Sequence, residues 1–98
     1  MKNNTCIIGS LVFEIEIPDA FSLKEKRRVL NSLKTKIKNK FNVSISEIGE
    51  KDIWNRSVLA VVTVSDSRNF VDEILQKVVN FFENFAYINI LSIREEIL

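Results

Sequence analysis

Between Cys6 and Ile17 the side chains Ile7, Leu11, Phe13, Ile15 and Ile17 fall on one side of an alternating pattern, with Cys6, Ile8, Ser10, Val12, Glu14 and Glu16 on the other. A period of two is that of a β-strand with one face in a core. Pro18-Asp-Ala20 ends it, and Ser22-Leu-Lys-Glu25 has the form of a capping box, in which the Ser hydroxyl and the Glu carboxylate each satisfy a free amide of a helix's first turn. The spacing predicts a helix from Ser22. At about 100° per residue, Val29, Leu30, Leu33, Ile37 and Phe41 form an apolar stripe, while Lys24, Arg27, Arg28, Lys34 and Lys38 gather on the far side. Lys26 is the exception, projecting to the apolar side near the helix start. Glu14 or Glu16 is within its reach, or the chain can carry its ammonium out to water.

Asn42 to Ile48 reads as a second strand, with Val43 and Ile45 on one face, Ile48 out of phase, and a bulge or strand end near Gly49. After a polar turn, Ser57 to Val64 is apolar on both faces, as a central strand requires. Asp66 to Asn69 supplies N-cap candidates for a second amphipathic helix through Val71, Ile74, Leu75, Val78, Phe82 and Phe85, reaching about Asn84. The tail from Ala86 to Leu98, with Ile88, Ile90, Leu91, Ile93 and Ile97, favours a final strand. The order βαββαβ predicts an α+β, ferredoxin-like sandwich: a four-stranded antiparallel sheet with strands one and three central and two helices on one face. Residues 1–98 make one such domain, since 98 residues support one core and neither half could bury enough surface alone.

Composition narrows the chemistry. With no His and one Cys, the chain has neither an imidazole proton carrier, nor an intrachain disulfide, nor a Cys/His zinc set. Asp66 and Asp72 lack metal-ligand spacing, so no metal or cofactor is expected. Cys6, unpaired and without a neighbouring base, is read as a small core residue. Apolar runs are far short of the roughly 20 residues that span a bilayer, and Met1 to Thr5 lacks a leader's apolar stretch; a cytoplasmic protein without a membrane partner is expected.

The net charge of +1 conceals a strong asymmetry. Residues 24–40 hold eight of the 14 basic groups and one acid, Glu25, a local +7 that leaves the rest at −6. Lys and Arg along one exposed helix face can follow phosphates without reading bases, so Lys24, Arg27, Arg28, Lys34 and Lys38 are candidate nucleic-acid contacts, Arg27 and Arg28 foremost because a guanidinium grips phosphate with two hydrogen bonds. The competing reading is a solvated face that serves solubility or meets an acidic partner. Sequence-specific DNA binding is not expected. Nor is base stacking on the sheet in the manner of an RNA-recognition motif, because strand three has no aromatic residue and Phe13 of strand one is in phase with the core. Pro18 to Ser22, where acylphosphatases of this architecture hold phosphate, has no Gly and no Arg to cradle an anion; the chain is read as non-enzymatic.

Asp52, Trp54 and Arg56 share one short turn. An indole beside an ion pair can form a protein-recognition patch, or the Trp can cap the core while Asp and Arg fix the turn. Ile8 and Val12 join the apolar outer side of strand three in an exposed patch, and a homodimer that buries this face or an adjacent edge strand is expected.

Three segments together, Ser22-Leu-Lys-Glu-Lys-Arg27 with Val29-Leu30, Phe41-Asn-Val-Ser44 with Glu47, and Asp52-Ile-Trp-Asn-Arg56, resemble the bacterial YlxP-like family of unknown function, in the family's order and over nearly the whole chain. Where many relatives carry Gln-Arg-Ala after the Trp, this chain has Asn55-Arg56-Ser57. The resemblance implies ferredoxin-like architecture, a tendency to self-associate and, by the translation and ribosome-maturation genes that often lie nearby, association with RNA or a ribosomal particle. It implies no catalytic activity.

Overall fold

The computed structural model describes residues 4–98; Met1–Asn3, part of the segment read as lacking a leader, lie outside them. The elements are β1 (Ile7–Glu16), α1 (Leu23–Lys40), β2 (Ser44–Gly49), β3 (Arg56–Ser65), α2 (Arg68–Glu83) and β4 (Asn89–Ile97). They form one antiparallel sheet in the order β2-β3-β1-β4, so the first and third strands are central as their patterns require. Ile7 of β1 lies opposite Ser65 of β3 and Glu16 opposite Arg56, an unbroken ten-residue ladder.

Each element follows from its local chemistry. Ser22 caps α1, its hydroxyl accepting from the Glu25 amide at 3.1 Å. The Glu25 carboxylate does not return to a backbone amide in the full capping-box manner; it accepts from the Ser22 hydroxyl at 3.4 Å. Ser67 caps α2 through the Phe70 amide at 3.2 Å. The ladder between β2 and β3 shifts between Glu47 and Gly49, the bulge that the out-of-phase Ile48 predicts.

The core lies between the sheet and the two helices. Leu11, Phe13, Ile15 and Ile17 meet Leu59 and Val61 from β3, Leu30, Leu33 and Ile37 from α1, and Val71, Leu75, Val78 and Phe82 from α2. Phe13 stacks on Phe82 with ring centroids 3.7 Å apart, fixing α2 over β1. Two buried hydroxyls on the core face of β3 are both satisfied: Ser57 donates to the Glu47 carboxylate at 2.7 Å, and Thr63 to the Asn42 carbonyl at 3.1 Å. Cys6, expected in the core, is exposed, because β1 begins one residue later and the thiol lies past the covered part of the sheet.

Gly9 marks the closest approach of helix and sheet. A Cβ built there would stand 2.5 Å from Val71 Cγ1 and 2.8 Å from Leu75 Cδ1. Gly9→Ala should therefore destabilise the protein by about 1–3 kcal/mol through overpacking. Urea unfolding measures this, and an unchanged midpoint would show that α2 can recede from β1 without loss.

Candidate nucleic-acid interface

Lys26 is the first surprise of the helix–sheet junction. Its side chain is 2% exposed, and it reaches neither Glu14 nor Glu16, nor water. The ammonium contacts the Glu47 carboxylate at 2.9 Å and donates to the carbonyls of Glu50 at 2.7 Å and Ile53 at 2.8 Å, with Lys51 O farther off at 3.3 Å. Three N–H donors thus serve three close acceptors, and the fourth shares. The expectation failed because it looked for a partner on β1, whereas α1 lies against β2 and its connection to β3. Glu47 stands on the core face of β2 two residues after Ile45, and that alternation was the available signal.

The same ammonium explains the turn that follows β2. Glu50 takes a left-handed backbone conformation, φ 54°, uncommon for a residue with a Cβ. Its carbonyl and that of Ile53 converge on Lys26, and the Ile53 amide donates to Glu50 O at 3.2 Å. Asp52 and Arg56 form no ion pair with each other among the described residues, so the turn is fixed by Lys26 and not by them. Trp54 does not cap the core either: it is 51% exposed, alongside exposed Ile48 and Ile53. Asp52 and Arg56 are exposed as well.

On the opposite side of α1 the cations stand bare. Lys24, Arg27, Arg28 and Lys38 are exposed and Lys34 is half-buried. The ion pairs among the described residues are Lys26–Glu47, Arg68–Asp72, Lys77–Glu73 and Arg94–Glu96, and none engages these five side chains. Lys36 and Lys40 turn instead toward α2, Lys36 lying 5.5 Å from the centroid of Phe85 and Lys40 5.5 Å from that of Phe81.

Two hollows flank this helix. A cleft of about 700 Å³ between the C-terminal halves of α1 and α2 has Lys40, Lys77, Phe41 and Phe81 in its walls. A smaller hollow of about 380 Å³ lies beside the β1–α1 loop, where Arg28 shares the lining with Asp19 and Glu25. Two carboxylates in the second make it a poor cradle for an anion. Among the described residues no cluster of three His, Cys, Asp or Glu side chains could hold a metal, and no helix is long and apolar enough to cross a membrane.

The sheet face away from the helices is apolar along its centre. Ile8 lies opposite Val64, Ser10 opposite Val62, Val12 opposite Ala60 and Glu14 opposite Val58. Val62 is 39% and Val64 57% exposed. Ser44 and Ser46 of β2 border this strip on one side, Ser92, Arg94 and Glu96 of β4 on the other.

This strand order, with both helices on one face and an open sheet surface behind, defines a ferredoxin-like α+β domain. The chain belongs to the family described as "Protein of unknown function (DUF503)", which it matches over residues 8–95. It is 46% identical over 90 residues to the uncharacterized protein YlxP of Bacillus subtilis (strain 168), covering 92% of this chain and 98% of that one. Among solved structures it is similar to the de novo designed protein Foldit4, at 10% identity and a TM-score of 0.58 over 95% of this chain and 96% of the other, a likeness of fold alone. A dimeric ferredoxin-like protein from an uncultured marine organism superposes with a TM-score of 0.47 at 16% identity, over 95% of this chain and 85% of that one.

The three segments that carry the family resemblance meet at one place. Lys26 comes from the first, Glu47 from the second, and the Ile53 carbonyl that Lys26 bonds from the third. Lys26→Met should cost about 3–5 kcal/mol, because it leaves the Glu47 carboxylate and the carbonyls without their donor. Adding Glu47→Leu should restore much of the loss. Urea unfolding followed through Trp54 fluorescence tests both, and a single variant as stable as wild type would remove Lys26 as the anchor of this junction.

Proposed function

We propose that the protein is a non-enzymatic, cytoplasmic RNA- or ribosome-associated factor that docks through the outer face of α1. The observation that carries this reading is the row Lys24, Arg27, Arg28, Lys34 and Lys38, five cations without a carboxylate partner among the described residues. Such a row has an energetic consequence for the helix itself. Lys24 and Arg28, Lys34 and Lys38, and Lys36 and Lys40 are like charges one helical turn apart, each pair unfavourable by roughly 0.2–0.5 kcal/mol. A polyanion relieves that repulsion and releases its own counterions, so affinity falls steeply with salt. Contact is with the backbone of structured RNA, since a cationic helix face offers no reading of base edges.

Binding to ribosomal RNA should weaken on the order of tenfold for Arg27→Glu with Arg28→Glu. The slope of log affinity against log salt should shrink by roughly two, one for each guanidinium removed. Filter binding across a salt series measures both; absence of binding at low salt, or a double variant that binds like wild type, would remove the proposal.

The apolar strip on the open sheet face favours a second reading, a homodimeric interaction module that buries Ile8, Val12, Val62 and Val64 against a second copy. The two readings are compatible, because the strip and the α1 row lie on opposite sides of the molecule. Sedimentation equilibrium should give a dimer for wild type and a monomer for Val62→Lys with Val64→Lys. A wild-type monomer at high protein concentration would refute the dimer and leave the α1 proposal untouched.

A further inference from the structure

The exposed indole of Trp54 is carried by the turn that Lys26 binds to α1, on a backbone held from two sides. Lys26, in the second turn of α1, holds the carbonyl of Ile53, the residue immediately before it, at 2.8 Å. On the other side the Asn55 carbonyl accepts from the Ile17 amide at 2.9 Å, which ties the turn to the segment leading into α1. That segment carries a second bare aromatic, Phe21, 75% exposed. Two exposed rings are therefore carried by segments joined to the N-terminal end of α1, the end that bears Lys24, Arg27 and Arg28.

The charges differ between helix and turn. From residue 50 to residue 56 the acids Glu50 and Asp52 balance Lys51 and Arg56, so the Trp54 turn is neutral whereas the helix beside it is strongly cationic. A neutral, anchored ring adjoining a phosphate-following surface has the two parts of a single-stranded nucleic-acid contact: cations for the backbone, and a flat platform for a base. An anchored backbone also lessens the ordering that binding would otherwise require.

We infer that Trp54 is a stacking platform for an unpaired base of the RNA that α1 holds by its phosphates, so that the preferred ligand is a junction between paired and single-stranded RNA. This rests on the reading of α1 as an RNA-docking face and adds to it the class of RNA selected. The sheet surface, where RNA-recognition motifs stack bases, takes no part; the stacking position is instead at the sheet's end, beside the helix.

Trp54 is the chain's single tryptophan, so its fluorescence reports on this position alone. The probes are an RNA hairpin with an unpaired uridine loop and a blunt duplex of the same stem, titrated at low salt. Both should bind, but only the hairpin should quench Trp54. Trp54→Ala should lower hairpin affinity on the order of tenfold and leave duplex affinity unchanged, while Trp54→Phe retains most of it. A hairpin bound equally well by Trp54→Ala, or quenching as strong with the duplex, overturns the stacking role and leaves α1 docking intact. Failure of wild type to bind either RNA overturns both. Loss, in a folded Trp54→Ala protein, of a protein partner that resists high salt and nuclease, with hairpin affinity unchanged, assigns the indole to a protein contact.

Discussion

The arrangement at the sheet's upper end depends on one buried ammonium. Burying an ion costs several kcal/mol, and Lys26 is viable only because a carboxylate and backbone carbonyls meet it at short range. Apolar packing of Leu30, Leu33 and Ile37 is non-directional, whereas a hydrogen-bonded ion has one set of partners. Lys26 supplies that direction. It ties the second turn of α1 to Glu47 on β2 and to the turn between β2 and β3, and Ser57 of β3 closes the set by donating to the same carboxylate oxygen. Elements distant in sequence are thereby registered at a single point, and the left-handed backbone of Glu50 follows from aiming its carbonyl there.

The charge layout rests on the same geometry. One lysine of α1 is neutralised inside, two lie over aromatic rings of the α2 end, and the remaining cations have no carboxylate partner among the described residues. Among the described residues no carboxylate pairs with them: Asp72, Glu73 and Glu96 pair with local cations on α2 and β4, and Glu47 with Lys26. Folding separates the signs that net charge adds together. The result is a directional field at nearly zero net charge, which favours approach of a polyanion to one side of the molecule while the other side repels it.

Most of the architecture was legible from periodicity because every element but β4 has a single buried face. The alternation in β1, the two-sided apolar run of β3 and the helical spacing from Val71 to Phe82 each admit one placement, and capping residues set where the helices start. The basic row was legible for the same reason, since positions opposite an apolar stripe must face solvent. The Lys26 cluster was not, because its partners are backbone carbonyls of a turn, groups every residue possesses and no sequence pattern marks. Glu47 was half-visible, on the core face by its phase with Ile45, yet nothing in the chain says that α1 lies over β2 instead of β1. Sequence left Trp54 open between a recognition patch and a cap on the core, because nothing in the chain says that the turn carrying it is held by Lys26 and not by burial of its ring.

On the RNA-docking proposal, rigidity at this turn has a use that stability alone does not require. A protein of this size could terminate β2 and β3 with a short hairpin turn of polar residues, at no desolvation cost. Instead the connection runs over Glu50 to Asn55, is held by an ion that is expensive to bury, and leaves Ile48, Ile53 and Trp54 in water. Each choice is unfavourable for the isolated chain, and together they hold the backbone that carries a large exposed ring against the end of a cationic helix. If α1 and this turn dock RNA as proposed, the contacts made there would offset that loss. Lys26 would then influence binding without touching the ligand: by holding the Ile53 carbonyl it fixes the backbone that presents the indole, and a loosened turn would have to be ordered anew at every encounter.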